Sequence, residues 1–362
     1  MKYGIESEKT SAYLQLYTQL KRDIVSCVFP YGSKLPSKRI LAEETGVSVI
    51  TVEHAYALLI DEGYIEPRER SGYFVIYKSS DFISSSEGEP MPKIKSTVKG
   101  GTGEFFPFPS LAKTMRRVIL DYGERLLCKP ESKGVYELRL AICKYLKRTV
   151  DIDAAPEQVV VGAGAEYLYS LIIKLIGKDK IYAVEDPSYK VISEVYFANG
   201  VKFEKLALSG NGIKSEQLLK TKASVLHTTP YNSYPSLISA TASKRREYLE
   251  WAKAKDGYII EDNYDSELTV SKKHEETLFS ISENENVIYV NTFSKTVAPS
   301  LRVGYMILPK SLVSEFDRRL GFFSCTAAVF EQYLIYELLQ SGDFERHINR
   351  VRRQRRKSGY IK

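Results

Sequence analysis

From residue 105 onward, short apolar runs alternate with stretches of helical period, and this alternation restricts the fold more than any other feature. Gln158 to Val161, Ile181 to Val184, Val225 to Thr228, Tyr258 to Ile260 and Val287 to Val290 are strand-like, while Tyr167 to Ile176 and Ser243 to Ala254 read as helices. Runs that are mostly apolar fit strands covered on both faces, and the intervening helices supply the covers. The expectation is an α/β domain with a mostly parallel sheet and helices on both faces.

With 362 residues, 43% of them hydrophobic, the chain can bury a large core and carry a second domain. It has no 18-residue apolar run, and Met1 to Thr10 is charged, so neither a membrane span nor a secretion signal is expected and a cytoplasmic location is. Cys27, Cys128, Cys143 and Cys325 lack metal-ligand spacing and read as reduced thiols; His54, His227, His274 and His347 form no cluster, so no metal site is expected. The net charge of +7 lies in one place. Phe344 to Lys362 holds eight Lys or Arg against one acid, which accounts for all of it. Bulk charge therefore says little about nucleic acid, and that case rests on motifs.

The densest chemistry follows the strand-like run at Val287. Asn291-Thr-Phe-Ser-Lys-Thr-Val-Ala-Pro-Ser-Leu-Arg-Val-Gly-Tyr305 places Lys295 between Ser294 and Thr296, with Arg302 seven residues on. A lysine that forms a Schiff base with an aldehyde cofactor needs a fixed place beside a phosphate anchor, and hydroxyls with an arginine supply one. Tyr258-Ile-Ile-Glu-Asp-Asn-Tyr-Asp-Ser-Glu-Leu268 ends another run in acids, where Asp262 suits a protonated pyridine nitrogen. Gly162-Ala-Gly-Ala-Glu166 follows a strand and opens a helix, so backbone N–H groups of Gly164, Ala165 and Glu166 are candidate phosphate donors.

These segments resemble the pyridoxal phosphate (PLP) fold of the aspartate aminotransferase type, and together they look most like the large domain of MocR/GabR-type transcription regulators. The resemblance implies a fold type I PLP domain with Lys295 as the Schiff-base lysine and Asp262 on the ring nitrogen. It further implies Tyr264 on the phenolic oxygen, Ser294 and Arg302 at the phosphate, and Tyr189 of Glu185-Asp-Pro-Ser-Tyr189 stacked on the ring. Thr229-Pro-Tyr-Asn-Ser-Tyr-Pro235 stands where the family has a related motif, which places Asn232 near the cofactor, although Leu237 replaces the motif's glycine.

Ahead of this domain, Tyr13 to Val28 has helical spacing, and Pro30 and Gly32 break it. Ser37 is a candidate N-cap for a helix over Lys38 to Thr45 that stops at Gly46; another begins near Ser48 and turns Val52, Ala55, Leu58 and Leu59 inward. Two short helices around a glycine turn make a helix-turn-helix, and Tyr64 to Val75 reads as a two-stranded wing. The run from Leu35-Pro-Ser37 through Glu62-Gly63 and Ile65 resembles the winged helix of the GntR family. Its DNA-contact candidates are Lys38 and Arg39 for phosphates, Ser48, Thr51 and His54 on the outer face of the third helix, and Arg68 and Arg70 in the wing. One departure stands out: the family's usual arginine after Ser48 is Val49 here.

The expected organisation is a GntR-type winged helix-turn-helix over 1–78, a Ser/Gly/Pro-rich flexible linker over 79–104, an aminotransferase-like PLP domain over 105–343, and a basic segment over 344–362. That last segment resembles the start of the family's C-terminal small domain, which, with its carboxylate-binding arginine, is expected to be lacking. The basic run itself reads as a solvated helix face rather than a second DNA arm. The resemblance implies a homodimeric regulator that binds a double-stranded DNA operator and senses PLP, an amine or an amino acid. A regulator without efficient transaminase turnover is expected, and an aminotransferase with an appended DNA-binding domain is the alternative.

Overall fold

The computed structural model describes residues 3, 11–69, 71–78, 106–269, 276–283 and 285–357. The expected linker, 79–104, and wing residue Arg70 lie outside the described residues. Two compact units divide the chain, Met1–Thr97 and Val98–Lys362.

The first unit opens with α1 (Ala12–Val25), α2 (Lys38–Thr45) and α3 (Val49–Asp61), followed by β1 (Ile65–Arg68) and β2 (Gly72–Val75). Both short helices begin as the sequence indicates: Ser37 Oγ accepts from the N–H of Ile40 and Ser48 Oγ from that of Thr51. Gly46 ends α2 at φ +72°, a left-handed cap that glycine adopts without steric cost. Leu16, Leu20 and Ile24 of α1 meet Leu41 of α2, Val52, Ala55, Tyr56 and Leu59 of α3, and Ile65 and Val75 of the hairpin in one core. Tyr56 takes the buried place expected of Leu58, with its hydroxyl donating to the Pro36 carbonyl at 2.8 Å.

The second unit runs α4 (Phe108–Tyr122), α5 (Tyr136–Val150), β3 (Val159–Gly162), α6 (Ala165–Ile176), β4 (Tyr182–Asp186), α7 (Lys190–Ala198), β5 (Phe203–Ser209), β6 (Gly212–Ile213), α8 (Ser215–Lys220) and β7 (Val225–Thr228). It continues through α9 (Ala242–Ala254), β8 (Tyr258–Asp262), α10 (Leu278–Ile281), β9 (Val287–Thr292), β10 (Gly304–Ile307), α11 (Lys310–Leu320), α12 (Val329–Gln340) and α13 (Asp343–Lys357). The sheet order is β3-β10-β9-β8-β7-β4-β5-β6. Strands β5, β4, β7, β8 and β9 are parallel; β10 runs against both β3 and β9, and β6 closes the far edge antiparallel.

Side chains pack on both faces of this sheet. Val160, Ile260, Ile288, Val290 and Met306 meet α6 and α11 in one core cluster, while Val159, Val161, Tyr289, Tyr305 and Ile307 meet α5 and α12 in another. The same second cluster takes Phe344, Ile348 and Val351 of α13, so one face of the basic segment set apart at 344–362 packs into the large unit's core. Helical spacing explains it, because Phe344, His347, Ile348 and Val351 fall on one face between arginines. Among the described residues, no helix is long and apolar enough to cross a membrane, and no group of His, Cys, Asp and Glu is arranged to hold a metal.

Candidate functional site

The strand order brings the scattered motifs to one place. Gly164 follows the end of β3, Tyr189 that of β4, Asn232 that of β7, and Lys295 that of β9, while Asp262 ends β8. Arg302 precedes β10, whose reversed direction puts its start beside the end of β9, with Gly304 paired to Thr292. All therefore stand along the carboxyl edge of the sheet, where open α/β folds bind ligands. A cleft of about 190 Å³ at the opposite edge, lined by Asp151, Asp153, Gln158 and Lys310 among others, includes none of them.

Gly164 caps α6 at φ +86°, and a Cβ there would come within 2.7 Å of an Arg302 guanidinium nitrogen. The positive φ favours glycine there, and the Arg302 tip would have to shift to admit a side chain. The Arg302 guanidinium is paired with the Glu166 carboxylate; both side chains are partly exposed, so the pair contributes about 0–1 kcal/mol. Ser294 Oγ donates to the Leu301 carbonyl at 2.8 Å, tying together the turn that carries Lys295. The Ala163 N–H donates to Thr326 Oγ1 at 3.1 Å, adding a hydroxyl from a distant loop.

Lys295 is exposed in the turn after β9 and makes no hydrogen bond or ion pair among the described residues. Its turn is anchored from α13, where a ring nitrogen of buried His347 lies 2.8 Å from the Thr296 carbonyl. The same helix holds the segment after Asp262. Arg352 donates to the Glu267 carbonyl at 2.6 Å, and Arg355 donates to that of Leu268 at 3.2 Å and lies 3.5 Å from Asp265. The basic run is thus not wholly a solvated face: Arg352 and Arg355 turn back onto the protein, whereas Arg353, Arg356 and Lys357 are exposed.

Asp262 is buried, and its two oxygens differ. Oδ2 accepts from the Tyr169 hydroxyl and stands 3.8 Å from His227 Nε2, too far for a hydrogen bond, while Oδ1 has no partner. His227 is itself positioned by Tyr196, whose hydroxyl lies 2.6 Å from Nδ1. Burial, followed by the neighbouring Asp262, raises the Tyr169 hydroxyl well above its ordinary pKa, so it remains a donor. An orphaned buried carboxylate oxygen is costly unless a donor reaches it, and the protonated ring nitrogen of PLP is such a donor.

Tyr264 donates to the Asn232 carbonyl at 3.1 Å, so those two candidates do meet. The Asn232 side chain, however, turns to Thr269 Oγ1 at 3.0 Å, from a backbone at φ +52°. Tyr189, nearly half exposed, meets Tyr234 edge-on at 6.3 Å between ring centroids. Beneath them buried Glu185 accepts from Thr228 and Ser233 hydroxyls at 2.5 Å and from the Thr229 N–H at 3.2 Å, yet burial still pushes its carboxyl up to about 7. Sequence reasoning missed Tyr169, His227, Thr326 and Glu185. A tyrosine in an apolar helix and a lone histidine in an apolar strand look like core, and only Glu185 lay within a quoted motif.

On the head, Arg39, Ser48 and His54 are exposed and Thr51 is half-buried. Several expected contacts have internal partners. Lys38 Nζ lies 2.5 Å from Glu53, Arg68 Nε lies 2.8 Å from Glu66 with its guanidinium over the Phe74 ring, and Ser48 Oγ is engaged as the cap of α3. The His54 ring meets Tyr13 edge-on at 5.8 Å between centroids.

Comparison with known proteins adds family matches to this geometry. Residues 96–358 match the aminotransferase class I and II family, and residues 12–75 match the gntR family of bacterial regulatory proteins. The HTH-type transcriptional regulator YdeL of Bacillus subtilis is 31% identical, over 96% of this chain and 78% of its own. The probable rhizopine catabolism regulatory protein MocR of Rhizobium meliloti is 27% identical (94% and 74% covered), and the pyridoxine biosynthesis transcriptional regulator PdxR of Corynebacterium glutamicum 26% (96% and 77%). Among solved structures, the multiple substrate aminotransferase of Thermococcus profundus superposes with a TM-score of 0.63 at 23% identity, over 70% of this chain and 65% of that one. Kynurenine aminotransferase of Pyrococcus horikoshii gives 0.61 at 23%, over 68% and 64%. The chain spans just under two thirds of those aminotransferases, and at such identity the likeness concerns the fold alone.

Proposed function

We propose, because this chain belongs to the aminotransferase class I and II family and carries a gntR-family head, that it is a DNA-binding transcription regulator whose larger unit binds PLP and responds to PLP or a small amine or amino acid. The observation that carries the cofactor half is the unpartnered Oδ1 of buried Asp262, on the sheet edge shared by Lys295 and the Gly164–Arg302 cradle. Asp262 would hold the ring nitrogen, Tyr264 the phenolic oxygen, Tyr189 a ring face, Lys295 the aldehyde carbon, and Arg302, Ser294 and the start of α6 the phosphate. When bound, PLP supplies an electrophilic aldehyde on an electron-withdrawing ring. The protein's own part is to orient that ring through Asp262 and to leave the Lys295 amine accessible.

A ligand alters DNA binding only through its differential affinity for two states of the protein. We place those states in a cytoplasmic homodimer that presents two heads to one duplex operator. Exposed Phe108, Ile119, Leu120 and Leu127 on and just after α4 support association, since apolar surface of this kind is usually covered. The shared fold favours a second reading, an aminotransferase with an appended head, and steady-state turnover of amino donors with keto acids separates the two.

The test has two arms. Borohydride treatment of PLP-saturated protein is expected to leave a mass adduct on the Lys295 peptide that Lys295→Ala lacks. A DNA footprint is expected to change when PLP and then a panel of amines are added. No adduct would remove the cofactor half, and one footprint under every condition would remove the sensing half.

A further inference from the structure

Helix α3 turns Val52, Ala55, Tyr56 and Leu59 into the head's core, and the opposite stripe, Ile50, Glu53, His54 and Ala57, faces outward. Two large apolar side chains open this helix directly after its Ser48 cap: Ile50 is 64% exposed and Val49 42%. These side chains add little burial to the fold and offer an apolar surface to whatever the start of the helix meets. The surrounding polar groups narrow the choice. Lys38 pairs with Glu53 at 2.5 Å and so neutralises the acid on the stripe, while Arg39 stands exposed at the start of α2. The first turn of α3, Val49-Ile-Thr-Val52, contains no lysine or arginine, the side chains that read the paired acceptors of guanine.

We propose that Ile50, with Val49 beside it, reads the 5-methyl group of thymine in the major groove, so that the head selects A·T pairs where the start of α3 meets the bases. This rests on the reading of the head as a DNA-binding domain. In helix-turn-helix proteins the first residues of the second helix touch base edges, and thymine carries the one apolar group displayed on the major-groove edge. The Lys38–Glu53 pair keeps the acid from repelling the backbone, and Arg39 lies one helix away to meet a phosphate. Burying one methyl against Ile50 corresponds to about a fourfold gain in affinity.

The full chain is used to select sites from a random-sequence DNA duplex pool. The enriched duplexes are remade with deoxyuridine for thymidine, which removes the methyl groups and keeps the hydrogen-bonding edges, and binding is measured by fluorescence anisotropy at one fixed salt concentration. Thymine-containing sites are expected to weaken about fourfold for each contacted methyl removed. Ile50→Ala should bind the thymine duplex more weakly and respond little to uracil, whereas Ile50→Val, which keeps a branched apolar tip, should retain most of the response. Equal affinity for both duplexes, or equal sensitivity in Ile50→Ala, would overturn the inference while leaving DNA binding intact. Retention of no duplex at low salt would overturn the DNA-binding reading, and this inference with it.

Discussion

Asp262 is a buried carboxylate half satisfied by the protein, with one oxygen bonded and the other unpartnered. The Tyr169 hydroxyl supplies the only direct hydrogen bond among the described residues, and His227 stands close without bonding. Tyr169→Phe would leave both oxygens unpaired, at a cost of about 1–3 kcal/mol. A denaturant midpoint unchanged by that substitution would show that the hydroxyl is not holding the carboxylate. Gly164 makes the complementary case, a residue defined by what it lacks. Its positive φ and the nearby Arg302 guanidinium predict that Gly164→Ala destabilises the large unit by about 1–3 kcal/mol. Thermal unfolding checks this, with Gly177→Ala as the comparison, because Gly177 at φ +116° has nothing within 4 Å of an added Cβ. Similar losses at both sites would mean backbone strain alone is responsible; a larger loss at Gly164 would isolate the crowding by Arg302.

Helix α13 acts as a brace between the turn that bears Lys295 and the segment that follows Asp262. His347 holds the Lys295 turn through the Thr296 carbonyl, while Arg352 and Arg355 hold carbonyls of the segment after Asp262. Arg352→Ala should therefore speed amide hydrogen exchange over residues 263–269 and leave 225–228, inside the sheet, unchanged. Uniform acceleration would point to general destabilisation, and none at all would dismiss the brace. This role was illegible in the sequence, where eight cations against one acid read as a solvated face. Which arginines turn inward depends on the helix's phase against a loop some eighty residues earlier. By contrast, the Ser37 and Ser48 caps were readable because a cap is a local bond to a neighbour three residues on. Strands β7, β8 and β9 were readable from their mostly apolar runs. Strand β10 was not singled out, because Gly304 and Tyr305 were read as the end of the motif that carries Lys295. The site's anchor motifs were likewise visible as local patterns, but Tyr169 and His227 reach Asp262 only through sheet order.

At the scale of the whole chain, the two units should respond differently to pH, because their buried acids are unequally distributed. Glu185 and Glu261 are buried in the large unit and Glu267 is half-buried there, and burial pushes each carboxyl up to about 7. A carboxyl raised in the folded state binds its proton more tightly there than in the unfolded chain. Its stabilising contribution is therefore complete below the ordinary carboxylate range and is lost as pH rises through about 7. For one group moved that far the change is about 3 kcal/mol. His347 works the other way, since burial lowers its pKa and folding must keep it neutral; its contribution is lost as pH falls below the ordinary histidine range. Three carboxyls outweigh one imidazole, so the large unit should become less stable between pH 5 and 7. In the head, the resolved carboxyl shifts are downward: Lys38 lowers Glu53, and Tyr17 with Lys21 lowers Glu62. Those exposed groups lose their contribution only as pH falls below the ordinary carboxylate range. Calorimetry of the full chain at pH 5, 6 and 7 should show the large unit's transition moving to lower temperature while the head's stays nearly fixed. Leu20→Ala, in the head's separate core, identifies the head transition by shifting it alone. Glu185→Gln should reduce the slope of the other. A large-unit transition that held steady or rose across this range would mean that these carboxyls are ionised in the folded protein, with their hydroxyl and N–H donors outweighing burial.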